Sequence, residues 1–160
     1  MSFLLHDEFN DATPIVTTIR IQHQGVAMPF LRTHCFKNGT ITSGDFTCTI
    51  SQSGTDLAVA TITAAEINSI TATYAHGMFT WRFPNTVFLR VLPESDEAEY
   101  TLTFESSGYA SDSNNFFAIC KDFDNVFVAE YGDHLKVIDE TPEQLAGTTP
   151  YGVEIYEMGN

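Results

Sequence analysis

Between Asp45 and Phe104 apolar residues recur at every second position: Phe46-Cys48-Ile50, Phe79-Trp81-Phe83, Val87-Leu89-Val91 and Tyr100-Leu102-Phe104. A period of two is what a half-buried strand requires, because successive side chains point to opposite faces of the pleat. Several such runs in succession need a second apolar layer, so the pattern predicts an all-β fold: an antiparallel β-sandwich, or a barrel as the other way to close. Glu99–Ser106 is the cleanest of them, with Glu99, Thr101, Thr103 and Glu105 on its wet face. Asn115–Lys121 is apolar on both faces, which places it centrally or beneath another element.

Turn residues separate the runs. Asn10–Pro14, Gly25, Asn38-Gly39, Ser43-Gly44 and Ser53-Gly54 delimit strands at Ile15–Gln24, Phe30–Lys37, Asp45–Gln52 and Leu57–Thr63. Met78–Phe83 follows, and Pro84-Asn85 reads as a turn from which Thr86–Leu92 pairs back. One helix is expected near residues 64–70, because Thr63 and Glu66 fit a capping box and Ile67 and Ile70 share one face. It would plug an open end of the sandwich. After Asp124 the pattern loosens: Val126–Tyr131 and His134–Ile138 suit a hairpin, Thr141–Gly147 one helical turn, and Tyr151–Met158 a closing strand. The division predicted is an N-terminal arm over 1–13, a β-sandwich domain over 14–131, and an acidic extension over 132–160, separable or part of the same domain.

At 160 residues the chain is long enough for one well-packed core, and 43% apolar residues with thirteen Phe suit a sandwich interior. The charge is lopsided. Residues 1–93 hold five Lys/Arg and six Asp/Glu, whereas residues 94–160 hold two Lys/Arg and fifteen Asp/Glu. Neutralising phosphate needs clustered cations, so nucleic acid is not expected as a partner, and no stretch approaches the length of a membrane span. The acids suit solubility or a saline medium first, and a basic partner or divalent cation second. Met1–Asn10 lacks the basic start and long apolar run of a signal peptide, so export by one is not expected. Cys35, Cys48 and Cys120 lack metal-ligand or disulfide spacing and read as free, buried, small hydrophobes.

The order of signals carries a resemblance. An early strand leads to Phe36-Lys37-Asn38-Gly39-Thr40-Ile41-Thr42-Ser43-Gly44-Asp45-Phe46-Thr47, then Thr61-Ile62-Thr63-Ala64-Ala65-Glu66-Ile67, then Tyr74–Phe83. Val87-Phe88-Leu89, Ala98–Leu102 and Ser107-Gly108-Tyr109 follow. Over residues 15–121 this resembles galactose-binding-like jelly-roll sandwiches, and among them those carried by tailed-phage virion proteins in fibres, head decorations or tail appendages. The resemblance implies a non-enzymatic module located in a virion, whose partners are other virion proteins, copies of itself and a host-surface glycan. A free-standing carbohydrate-binding, lectin-like module is the alternative. The binding loops of such modules vary, so no binding residue carries over, and the acidic segment from Asp122 onward matches nothing in the pattern.

Candidate chemistry is sparse. No P-loop, dinucleotide fingerprint or G-x-S-x-G occurs, and the five His are scattered, so no enzyme and no cofactor are expected. Trp81 alternates with Phe79 and Phe83 and belongs in the core. The candidate exposed ring is Tyr109, in the small polar loop 106–115 with Asn114 and Asn115, and His76 stands in the approach to the Trp81 strand. For each, an ordinary strand connection is the commoner outcome. Asp122, Asp124 and Asn125 offer alternating oxygens that suit a structural calcium, which jelly-roll modules often hold, although the glycine and bidentate acid of a loop motif are missing. Phe3, Leu4 and Leu5 at one end, and the alternating Tyr151, Val153 and Ile155 at the other, are candidate assembly contacts.

Overall fold

The alternating runs fold as strands, and a computed structural model describes the protein over residues 6–22, 26–69, 75–95, 97–120, 135–136 and 153–156. In chain order these are β1 (His6–Glu8), β2 (Ile15–Gln22), β3 (Val26–Asn38), β4 (Asp45–Gln52), β5 (Thr55–Thr63), the helix α1 (Ala64–Asn68), β6 (Ala75–Leu89), β7 (Glu97–Ser107), β8 (Phe116–Cys120), β9 (Leu135–Lys136) and β10 (Val153–Tyr156). One sheet runs β1-β8-β3-β10, with β6 on the other edge of β3, and the second runs β5-β4-β7-β2-β9. Every pairing is antiparallel. Setting the short β9 and β10 aside, the orders 1-8-3-6 and 2-7-4-5 are those of a jelly roll, in which successive strands swap sheets except at one hairpin. That hairpin joins β4 to β5 through Ser53 and Gly54, both with positive φ (49° and 79°), as a two-residue turn matched to strand twist requires.

The alternation predicts the core faces directly. Phe46, Cys48 and Ile50 from β4 and Tyr100, Leu102 and Phe104 from β7 face Phe79, Trp81, Phe83, Val87 and Leu89 from β6 across the interior, all buried. Trp81 satisfies its one donor by giving its indole N–H to Thr33 Oγ1 at 2.8 Å, so the ring is buried without an orphaned polar group. β8 is buried from Phe116 to Ile119, on both faces, as its composition requires.

Several features lie beyond a local reading. Within the stretch expected as an arm, His6, Asp7 and Glu8 form β1 and pair with Cys120, Ile119 and Ala118. Phe9 then enters the core, its ring stacked on Phe117 at 5.0 Å and edge-on to Phe46 at 5.3 Å. Burial of such a ring stabilises by about 1.5–3 kcal/mol, enough to hold the segment in place. Pro84-Asn85 is not a hairpin turn. Residues 75–82 and 87–89 both run antiparallel to β3 and in the same direction, with residues 83–86 bulging out where Pro29 alone stands opposite. A proline that cannot donate to a ladder is accommodated at such a bulge as well as at a turn. Near the C-terminus, β9 joins β2 and β10 joins β3, so both described pieces of the acidic extension belong to the sheets.

Candidate functional site

The jelly-roll order brings the β1–β2, β3–β4, β5–β6 and β7–β8 connections to one end of the sandwich. Small polar side chains in each tie it to another. The Asp11 carboxylate accepts from Ser106 Oγ at 2.7 Å and from the Tyr109 N–H at 3.1 Å. Ser43 Oγ donates to the Gly108 carbonyl at 2.9 Å, and the Asn68 Oδ1 accepts from the Ile41 N–H at 2.9 Å. Asn115 Oδ1 accepts from the Thr40 N–H at 3.0 Å. α1 closes this end: Thr63 Oγ1 accepts from the Glu66 N–H, the Glu66 carboxylate accepts from the Thr63 N–H at 2.6 Å, and Ile67 drops into the core. The helix therefore caps and plugs as its sequence predicts.

Tyr109 is not an exposed ring. Only 7% exposed, it packs edge-on against Phe46 at 5.0 Å, and its hydroxyl accepts the N–H of Phe117 at 2.8 Å. Burial pushes its phenol up from the ordinary value, against the opposing pull of the Phe117 N–H. The reason lies in the loop path. Gly108 takes φ +70° and turns the chain back, and the Tyr109 hydroxyl thereby reaches the buried N–H of Phe117 in β8. Gly44, packed on the Tyr109 backbone, leaves room for the ring's approach.

Asn114 is exposed and Asn115 half-buried, and both belong to an Asx turn around Asp112. The Asp112 carboxylate accepts from the N–H of Asn114 at 2.7 Å and of Asn115 at 2.9 Å, and from Asn115 Nδ2. Those donors, the Asn114 N–H first, hold its carboxyl below the usual carboxylate range. Thus the Asn115 amide is consumed in joining two loops. His76 lies within β6, opposite Phe36, rather than in a loop. Tyr109 and Asn115 act as internal fasteners rather than as an exposed ring and a free amide.

Among the described residues, no three His, Cys, Asp or Glu side chains stand close enough together to hold a metal. Asp122, Asp124 and Asn125, the calcium candidates, lie outside the described residues, as do Phe3, Leu4, Leu5 and Tyr151. Val153 and Ile155 lie on β10, where their backbone pairs with Thr33 and Leu31 of the same chain. That edge is found internally and needs no neighbouring copy.

One groove of the described surface lies along the side of the sandwich. Where β5 ends one sheet and the bulge of β6 arches beside it, a groove of about 400 Å³ is lined by Leu57, Ala58, Val59, Pro84, Phe88 and Arg90, among others. Five large apolar side chains are exposed among the described residues, and three of them line this groove: Leu57 (44%), Val59 (41%) and Phe88 (61%). A signal was present in the sequence, since Leu57-Ala58-Val59-Ala60 and Val87-Phe88-Leu89 are apolar on both faces while only one face of each has a core to meet. No family model matches the chain, and no curated protein or solved structure matches it either.

Proposed function

We propose that this chain is a non-enzymatic structural or attachment component of a virion, a capsid decoration or a tail or fibre part, acting through protein–protein contacts. The observation that carries the reading is the apolar groove at the side of the sandwich. Scattered exposed hydrophobes need no explanation, but three converging on one concave surface mark a contact site. The strand order adds support, because jelly rolls serve as capsid and lectin domains, although a fold by itself does not assign a function. The resemblance of residues 15–121 to phage modules points the same way.

The lectin alternative loses its main residue. A sugar-stacking ring must present a face to solvent, and Tyr109 is buried against Phe46 with its hydroxyl occupied. Peptide mass spectrometry of density-purified particles from the producing host tests the proposal. Peptides of this chain are expected at a fixed ratio to the major particle proteins. Their absence, together with a defined hit on a glycan array, overturns the structural role in favour of a lectin.

A further inference from the structure

We propose that Lys37 anchors a carboxylate-binding site inside the loop end of the sandwich. Its place in β3 sets the geometry. Leu31, Thr33 and Cys35 are buried on the core face, and the period of two puts Lys37 on that same face, at the last inward position before the Asn38-Gly39 turn. It stands opposite Phe117 of β8 on one side and Ala75 of β6 on the other. Its side chain is only 5% exposed, whereas lysine is almost never so buried unless it is paired. Lys37 has no such pair. Among the described residues it has neither an ion pair nor a hydrogen-bond acceptor, in a chain that holds twenty-one Asp and Glu. An inward ammonium with nothing to accept its N–H groups is strongly destabilising, and a methionine of similar length would fill the position without that cost. Breaks of this kind in an otherwise consistent core mark functional positions.

Charge and burial decide the ligand class. The ammonium donates to a negative oxygen, so the ligand carries an anionic group. The rim of the same end is acidic: Asp11, Asp45, Glu66 and Asp112 all lie in its connections or at a strand start, and all four are exposed. Asn38 Nδ2 donates to the Ser113 carbonyl at 3.4 Å, which sets the loop of Asp112 against the turn that follows Lys37. A dianion such as sulfate or phosphate meets the repulsion of that rim twice over, and a carboxylate only once. Burial limits the size, since only a small group reaches so enclosed a side chain. The ligand is therefore a small carboxylic acid or the carboxylate of a single acidic sugar, not a protein loop or a lipid. This site is separate from the apolar groove and does not rest on the assembly reading.

Lysine-labelled NMR on the full chain tests this, with sodium acetate, glucuronate and sulfate as probes against sodium chloride at equal ionic strength. The chain has three lysines, Lys37, Lys121 and Lys136, so Lys121→Met and Lys136→Met assign the Lys37 signal even if Lys37→Met fails to fold. The Lys37 signal is expected to shift saturably with acetate and glucuronate while the other two stay in place. Tighter binding of glucuronate assigns the sugar acid, and equal or weaker binding the free carboxylic acid. The melting midpoint should rise by roughly 3–6 °C at ten times the dissociation constant. Lys37→Met should lose that rise and melt above wild type in chloride. A Lys37 signal that moves with none of the probes overturns the site, and one that follows sulfate as strongly as acetate overturns the carboxylate assignment. Neither result bears on the assembly reading, which absence from purified particles overturns by itself.

Discussion

Replacing Tyr109 by Phe removes one oxygen atom and tests how the loop end of the sandwich is held together. The ring stays, so its packing on Phe46 is retained, and the change isolates the hydroxyl that accepts the Phe117 N–H at 2.8 Å. Phe117 is fully buried, so no water replaces the lost acceptor. An orphaned buried N–H costs about 1–3 kcal/mol, whereas an exposed hydrogen bond costs less than 1. For a domain of this size each kcal/mol shifts the midpoint by roughly 2–4 °C, so a fall of about 2–12 °C is expected. Urea unfolding should show a lower midpoint at an unchanged slope, since the exposed surface is the same. The pH dependence adds a second mark. Burial raises the Tyr109 phenol, so the folded state resists its ionisation; that stability is complete below the unfolded value of 10.0 and is lost as pH rises through the higher folded value. Tyr100 shifts the same way and is present in both proteins, so the gap between wild type and Tyr109→Phe should narrow above pH 10. A variant within about 0.5 kcal/mol of wild type at pH 7 would refute the fastener role and return Tyr109 to the pool of binding residues.

Two glycines separate backbone strain from collision. Gly54, with φ +79° and open space around it, should lose about 1–2 kcal/mol as Ala, whereas Gly39→Ala drives a Cβ into the Asn114 carbonyl and Asn115 Oδ1 and should lose on the order of 3 kcal/mol or more in the same urea assay; equal losses would refute the loop packing. Cys35 and Cys48 are buried thiols outside any disulfide, and burial pushes the Cys48 thiol well up, so neither should react with a thiol reagent until urea unfolds the chain; prompt labelling of either in the native protein contradicts this. The Asp112 carboxyl is held low by the Asn114 and Asn115 donors, so it contributes stability above its ordinary value of 3.8 that is lost as pH falls through the lower folded value. Asp112→Ala should therefore melt lower than wild type at pH 7, with the difference shrinking in acid; a pH-independent difference would place its cause elsewhere.

Alternation alone determined which side chains are interior along β4, β6 and β7, because the pleat sends every second residue to the same face whatever the partner strand. The capping box of α1 and the turns at Asn10–Pro14 and Ser53-Gly54 were legible for a related reason: each is closed by residues two or three apart. Partnership was not legible. Pro84-Asn85 has turn chemistry, but β3 was already available as a common partner for both flanking segments, so the chain bulged instead of reversing. Phe9 lay in an apparent arm until Phe46 and Phe117 arrived from remote parts of the chain to stack on it. Tyr109 sits in a small polar loop and reads as exposed, yet a buried N–H eight residues on made it part of the core. The groove arose in the same way, from two locally ordinary apolar strands that ended up on adjacent sheet edges with no described strand between them. Local periodicity sets which way a side chain points, and long-range pairing sets what it meets, so only the tertiary structure could turn Tyr109 into a fastener and Leu57, Val59 and Phe88 into a surface.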